Sequence, residues 1–595
     1  MRHPRIIVVG GGLAGLMATI RVAESGVPVE LFSIVPVKRS HSVCAQGGIN
    51  AAKNLKGEGD STWQHFDDTI YGGDFLANQP LVKGMCEVAP AIIDLLDRMG
   101  VMFNRTPEGL LDFRRFGGTL FHRTAFAGAT TGQQLLYALD EQVRFFEAED
   151  KVKKYEGWTF LSAVIDDGGI CRGICGMDLK TMEIRTFPCD AAIFCTGGNG
   201  AIFGRSTNSV VCTGSAQSAL FQQGVYYANG EFIQVHPTAI PGEDKCRLMS
   251  ESARGEGGRV WVPKQAGDKR RGKDIPEGER LYFLEEWYPK YGNLVPRDVA
   301  TRAIHKVVFE MKMGLPGEPA VYLDVTHIPR EVLDRKLEGI LEIYEKFVGV
   351  DPHVEPMKVF PAMHYTMGGL WVDNANQATN VPGIYAAGEC EYQYHGANRL
   401  GANSLVSCIY GGMLAGPAAV RYARNVEQGC ENTPSSAFDR ERVRQQDIND
   451  ALLNQHTGTE NPITIWREMG DVMTENVTVI RYNAALKKTL EKLDELSDRY
   501  KKINLQDRTQ WSNQTLNFVR ELGNMLVLAK AITLGALARN ETRGAHYKPE
   551  FPSRDDANWL KTTKASYKCG NITLEYEPVD TSLIPLRERK YTAAK

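Results

Sequence analysis

Four apolar residues, Ile6 to Val9, run directly into Gly10-Gly11-Gly12-Leu13-Ala14-Gly15, and a helical pattern continues to about Ser25. No other feature restricts the fold of this chain as strongly. A strand that ends on G-x-G-x-x-G and reopens as a helix is the start of a doubly wound α/β unit that binds a dinucleotide. Gly10 permits the tight turn, Gly12 lets the backbone approach a pyrophosphate, and Gly15 lets the helix pack close to the strand. The helix N-terminus then offers unpaired N–H groups and a positive dipole end to the phosphates. The next strand, Val27 to Phe32, brings Glu30 and Ser33 to the place of a ribose-binding group. Gly10, Gly12, Ala14, Gly15 and Ser33 are therefore candidate cofactor residues.

Two distant strands have the same character. Ala191–Cys195 runs into Gly197 and Gly198, and Ile384–Ala387 ends at Gly388-Glu389. Buried parallel strands feeding glycine turns are what a doubly wound sheet requires. Contacts so far along the chain favour the extended FAD over NAD.

Between these strands, residues 236–353 are more polar and irregular, with a charged stretch from Lys264 to Arg280, and read as an inserted domain. From 431 to 540 the pattern is helical. Leu486, Leu490, Leu493 and Leu496 recur at three- and four-residue steps, as do Met469, Val472 and Met473, which predicts antiparallel helices with a leucine core. The tail, 541–595, is rich in Pro, Asp and Arg and is expected to pack as irregular structure.

The 69 basic and 72 acidic side chains leave a formal charge of -3, which gives no general basic surface for nucleic acid. Twelve cysteines lack paired spacing; Cys171 and Cys175 have no second pair to complete a metal or cluster site. No secretory signal is visible, and the uncharged stretch near the start, Ile6 to Ile20, is too short to span a bilayer. Contact with a membrane is expected to go through another subunit.

Arg39-Ser40-His41-Ser42-Val43-Cys44-Ala45-Gln46-Gly47-Gly48 resembles the flavoprotein subunits of succinate dehydrogenases and fumarate reductases. So do Gln234-Val235-His236-Pro237-Thr238, Arg254-Gly255-Glu256-Gly257-Gly258, Pro296-Arg297-Asp298, His364-Tyr365-Thr366-Met367-Gly368-Gly369 and His395-Gly396-Ala397-Asn398-Arg399-Leu400-Gly401. Glu541-Thr542-Arg543-Gly544-Ala545-His546-Tyr547 completes the set, so the resemblance covers essentially the whole chain. It implies an α/β protein with a discontinuous Rossmann-like FAD domain (1–235 and 354–430), an inserted α+β capping domain (236–353), a helical domain (431–540) and a small C-terminal domain (541–595). Val35 through Asn78 is most similar to the branch anchored by a dihaem cytochrome b subunit.

The resemblance implies FAD joined covalently through His41, with Ser42, Gln46, Gly47, Gly48, Glu389, Ser404 and Leu405 around it. It implies His236 and Ser250 at one carboxylate of a dicarboxylate substrate, His364 and Arg399 at the other, and Phe116 packed nearby. Arginine offers a planar fork to carboxylate and histidine a directional N–H. Arg297 matches the family's proton donor to the substrate carbon, and Glu251 and Arg254 match the relay that resupplies it. An arginine can do this because a carbanion-like centre is a far stronger base than water. Two departures stand out: Ser250 replaces a common Thr with the hydroxyl kept, and Ser215 in Thr213-Gly214-Ser215 replaces an acidic residue, which leaves one FAD contact open.

The implied function is interconversion of succinate and fumarate on the cytoplasmic face of the inner membrane. The implied partners are an iron–sulfur subunit and a membrane-anchor cytochrome b, with no nucleic acid. The alternatives are a soluble L-aspartate oxidase-like flavoenzyme, from which His41 is the discriminator, and a noncatalytic FAD protein, which would have no use for the carboxylate-binding set. His65, His122 and His305 match no substrate motif and read as structural. For Arg543, Gly544, His546 and Arg554, a docking surface and an internal ion-pair network are both open.

Overall fold

The computed structural model describes residues 3–242 and 246–591; residues at both ends of the chain and 243–245 of the predicted cap lie outside them. Five parallel strands form the central sheet in the order Ile384–Ala386, Ala191–Phe194, Ile6–Val9, Val29–Ser33, Val152–Glu156. Strands from opposite ends of the sequence are thus adjacent, and their carboxyl ends open on one edge, where an α/β sheet binds its ligand. On one face, helix Leu13–Glu24 packs between helices Asn403–Asn425 and Thr131–Ala148. On the other lies an antiparallel sheet of Trp158–Ile165, Cys171–Asp178 and Ile184–Pro188. With both faces covered, Ile6–Val9 and Ala191–Phe194 are buried at every position, which explains their unbroken apolar runs.

A six-stranded antiparallel sheet carries the inserted region, in the order Arg247–Leu248, Ile233–Ile240, Met357–Thr366, Val321–Asp324, Arg259–Pro263, Arg280–Leu281. Its core, from Ile240 to Val359, is joined by Tyr591 near the C-terminus, with Tyr71 and Ala129 packed against it. Ile233–Ile240 and Met357–Thr366 pair as neighbours, so the chain leaves and re-enters the FAD-binding unit along one double strand.

Four long helices, Ser435–Leu453, Pro462–Val477, Asn483–Tyr500 and Gln514–Ala538, build the helical region. Leu486, Leu493 and Leu496 are core, but Leu490 is only half-buried and Thr489 takes the inward place beside it. Thr489 satisfies its hydroxyl on the Ala485 carbonyl at 3.0 Å, so a polar residue is tolerated there. Gln514–Ala538 is long and apolar enough to cross a membrane by length and composition, a property missed when only uncharged runs are counted. Here it is a core helix, with Leu516, Val519, Leu522, Met525, Leu528 and Ile532 buried and Lys530 paired to Asp494 at 2.7 Å.

The tail is more regular than expected. Lys561–Lys568 and Asn571–Pro578 form a hairpin that continues a sheet with Tyr227–Ala228 and Gly369–Leu370. Its two-residue turn, Cys569-Gly570, has φ of +49° and +87°, the conformation that matches the right-handed strand twist. Arg543 and His546 are fully buried and do not form a docking surface. Arg543 binds Glu541 at 2.8 Å and the Asp74 carbonyl at 3.0 Å, while His546 donates to the Arg539 carbonyl at 2.9 Å and contacts Arg481. Gly544 N–H and Arg554 both reach the Asp74 carboxylate at 2.8 Å, so the motif ties the tail to the FAD-binding unit.

Candidate active site

The carboxyl edge of the parallel sheet opens into one cavity of about 690 Å³. Of the residues singled out in the sequence it gathers Gly10, Gly12, Ala14, Ser33, His41, Ser42, Gln46, Gly47, Gly48, Glu389, Ser404 and Leu405. The same cavity is lined by Phe116, His236, Ser250, Glu251, Arg297, His364 and Arg399, so the dinucleotide set and the carboxylate set share one space. Gly15 and Arg254 stand behind the wall. A Cβ at Gly15 would lie 1.8 Å from the Gly10 carbonyl oxygen, so only glycine fits the close helix–strand packing. Ser42 does more than line the cavity: its hydroxyl accepts the Leu13 N–H at 3.3 Å, at the first turn of the glycine-motif helix. Ser33 turns its hydroxyl back to the Val35 carbonyl at 2.6 Å.

At the other end, two arginines converge on one buried carboxylate. Arg297 donates to Glu251 Oε2 from Nε at 2.9 Å and from Nη2 at 2.7 Å. Arg254 Nη2 and the Gly117 N–H donate to Oε1 at 3.0 and 3.1 Å. Burial pushes the Glu251 carboxyl up, but Arg297 and Arg254 outweigh it and hold it below the usual range. Arg254, deeply buried, is lowered by desolvation despite Glu251. Arg297 also donates from Nη1 to Gln234 Oε1 at 3.0 Å. Three of its five N–H groups are thus committed, and two remain for the cavity.

His236 and His364 face each other with ring centroids 5.1 Å apart. Burial, then neighbouring Arg297, holds both rings well below the ordinary histidine range, and both are neutral at pH 7. Nδ1 of His236 lies 3.2 Å from the Thr238 N–H and 3.1 Å from the Thr238 carbonyl, and Nε2 is a buried atom with no protein partner. His364 Nδ1 meets the Thr207 hydroxyl at 2.7 Å. Arg399 lies over the Tyr365 ring at 4.4 Å, its Nε has no partner, and burial lowers it to about 9. Ser250 shares a 2.8 Å hydrogen bond with Ser252. Neutral donors and buried cations around a void form a ready site for an anion with two charged ends.

His41 sits between these two regions. Its Nδ1 accepts the Ser209 N–H at 3.2 Å, and Nε2 lies 3.3 Å from Asn208 Nδ2. Phe116 packs so tightly that a Cβ at Gly47 would be 2.6 Å from its ring. Glu389 accepts the Thr366 N–H at 3.1 Å and is pushed up to about 7 by burial. His65 is a buried partner of Asn403 at 2.9 Å, and His122 pairs with Glu58 at 2.8 Å on the surface. His305 is packed on Phe309.

Several residues at the site escaped sequence reasoning. Gln234 joins Arg297 to the Arg399 carbonyl, 2.7 Å from its Nε2. Asn208 joins His41 to the His364 carbonyl, at 2.9 Å from the latter. Arg114, buried and lowered to about 9 by desolvation, donates to the carbonyls of Gln46 and Gly47 and holds the loop that follows His41. Gln234 lies inside a quoted motif, and its amide could have been weighed there; Asn208 and Arg114 carry no pattern.

Residues 5–405 match the family described as FAD binding domain, and residues 466–591 match fumarate reductase flavoprotein C-term. The succinate dehydrogenase flavoprotein subunit of Bacillus subtilis is 62% identical over 597 residues, covering 100% of both chains. The fumarate reductase flavoprotein subunit of Escherichia coli is 35% identical over 98% of this chain and 95% of its own. Among solved structures, a mutant E. coli quinol fumarate reductase chain superposes with a TM-score of 0.90 at 33% identity, covering 100% of each. The glycine motif, the cavity and these full-length likenesses agree: this chain is an FAD-dependent oxidoreductase belonging to the family of succinate dehydrogenase and fumarate reductase flavoprotein subunits.

Proposed function

We propose that the chain interconverts succinate and fumarate and exchanges electrons with an iron–sulfur subunit of a quinone-linked complex. The observation that carries this reading is the buried Arg254–Glu251–Arg297 array opening on the same cavity as His236, His364 and Arg399. The cavity also suits FAD: a glycine turn and helix N-terminus stand at its middle, and Gln46 Oε1 is a buried acceptor without a protein partner. Bound there, FAD would supply hydride acceptance and donation.

The protein's own groups then have separate tasks. His364 and Arg399 hold one carboxylate of the substrate, and the His236 ring with the Ser250 hydroxyl holds the other. Two clamped ends fix the carbon–carbon bond relative to Arg297. In fumarate reduction, the Arg297 guanidinium gives a proton to one carbon as hydride is added at the other, and regains one through Glu251; in succinate oxidation, Arg297 first passes a proton to Glu251 and then takes the one released by a methylene. Glu251, bonded to both guanidiniums, connects Arg297 to Arg254 for proton exchange. Gln234 fixes the Arg297 fork through Nη1.

His41 is proposed as the covalent flavin attachment, since its ring lies at the cavity wall beside Ser42. Full-length 62% identity to a succinate dehydrogenase subunit favours this over the L-aspartate oxidase reading. Electron delivery to quinone would need an iron–sulfur partner and a membrane anchor, with cytochrome b the proposed type. That would place the chain peripherally at the cytoplasmic face of the membrane. Arg297→Gln tests the reading: fumarate turnover should fall at least ~100-fold, the range of general acid loss, with dicarboxylate binding and FAD content kept. Near-normal turnover would remove Arg297 as the acid.

A further inference from the structure

Helix Gln514–Ala538 belongs to the helical region, yet one of its residues, Glu521, reaches the wall of the cofactor cavity. Glu521 is 8% exposed. Its one hydrogen bond to a side chain among the described residues is from Asn517 Nδ2 at 3.1 Å, one turn earlier on the same helix. No cation faces it among the described residues, and burial pushes its carboxyl up to about 7. A buried carboxylate without a cation is costly unless something donates to it. Nothing in the proposed succinate chemistry uses it.

Its place in the cavity follows from its neighbours. Asn524 and Leu528 continue the same helix face. Asn524 Nδ2 donates to Ser215 Oγ at 2.7 Å, and Leu528 covers Gly214, where a Cβ would meet its Cδ1 at 2.8 Å. The face that carries Glu521 therefore lies over the start of helix Ser215–Gln222. That short helix is fastened to strand Trp158–Ile165 by Gln223, which bonds both the N–H and the carbonyl of Ala163 at 2.9 Å. Trp158, Thr159 and Phe160 line the cavity beside Ser33, on the Val29–Ser33 side of the glycine turn. In a doubly wound sheet this side takes the adenosine half of a dinucleotide. The Arg297 and His364 end lies on the other side of His41.

We propose that Glu521 is a further cofactor-binding residue, accepting hydrogen bonds from the ribose hydroxyls or exocyclic amine of the adenosine half. The helical region would then close one end of the cofactor site. Ser215 offers only a neutral hydroxyl, which already accepts from Asn524. The proposal rests on the FAD reading of the cavity and adds a contact to it.

The test uses the full chain carrying His41→Ser, so that retention is not fixed by a covalent bond, with and without Glu521→Gln. ADP presents the adenosine half alone, and FMN the flavin half. Glu521→Gln should weaken FAD and ADP binding about tenfold or more, the effect of losing a charge-assisted hydrogen bond, and leave FMN binding unchanged. Glu521→Asp, which keeps the charge but withdraws it, should fall between. Unchanged ADP affinity, or equal weakening of FMN, would overturn the proposal. So would a lowered unfolding temperature of the cofactor-free Gln variant with affinities intact, because that marks a structural role. Absence of FAD binding in the parent chain would instead sink the flavoprotein reading itself.

Discussion

Glu251→Gln is the sharpest probe of the two-arginine array. The wild-type carboxylate accepts four hydrogen bonds, two from Arg297, one from Arg254 and one from the Gly117 N–H. A glutamine has one oxygen. If that oxygen faces the Arg297 fork, its NH₂ points at the Arg254 and Gly117 donors; reversed, it points at Arg297. Either way two of the four contacts become donor against donor, and two buried guanidiniums lose their counter-charge. Breaking a buried pair this way costs about 3–5 kcal/mol. The site draws on a separate core from Ile240 to Val359, so calorimetry should show an earlier first transition rather than a uniform shift. Fumarate turnover should fall ~100-fold because the proton path is cut. The sign with pH is also set. The carboxyl is held below its ordinary value, so its stabilisation is present near neutrality and is lost as pH falls through its depressed pKa. The variant should lack that acid-side component. A Gln variant with wild-type turnover, an unmoved first transition and the same acid sensitivity would refute the reasoning.

Three further outcomes are expected. Denatured wild type should keep flavin fluorescence on a gel and His41→Ser should lose it, while noncovalent FAD is retained. Glu391, buried and pushed up to about 8, costs stability as pH rises from 4.5 towards 8, on the order of 3 kcal/mol at pH 7. Glu391→Gln should therefore raise the urea midpoint at pH 8 and change it little at pH 5. Arg114→Lys removes the fork that donates to the Gln46 and Gly47 carbonyls, and should slow turnover about tenfold with little change in dicarboxylate affinity, read as kcat against KM.

Much of this was legible in the sequence where chemistry repeats or clusters locally. The glycine turn, the apolar strands and the Met469–Met473 stripe follow from periodicity, and the His and Arg motifs from resemblance. What stayed hidden depends on contacts across long separations. Glu521 reaches a cavity whose glycine motif lies some 500 positions earlier, and nothing beside it in the helix distinguishes it from a surface carboxylate. Thr489 was overlooked because a threonine can satisfy itself on its own helix, and so enter a core that polarity alone would forbid it. The C-terminal hairpin was overlooked because its first strand, Lys561–Lys568, shows no hydrophobic alternation, although Ile572, Leu574 and Tyr576 alternate with polar residues in the second.

The last residues of the chain return to its centre. Arg589 grips Asp298 through Nη1 at 2.6 Å and Nη2 at 3.0 Å, and Tyr591 joins the core of the inserted region. Asp298 adjoins Arg297, so Arg297 acquires this support only once residue 589 has been synthesised. Synthesis order would thus act as a safeguard: a nascent or prematurely terminated chain would lack the Arg589 clasp beside Arg297, and only chains that extend through Tyr591 would join dicarboxylate chemistry to a bound flavin.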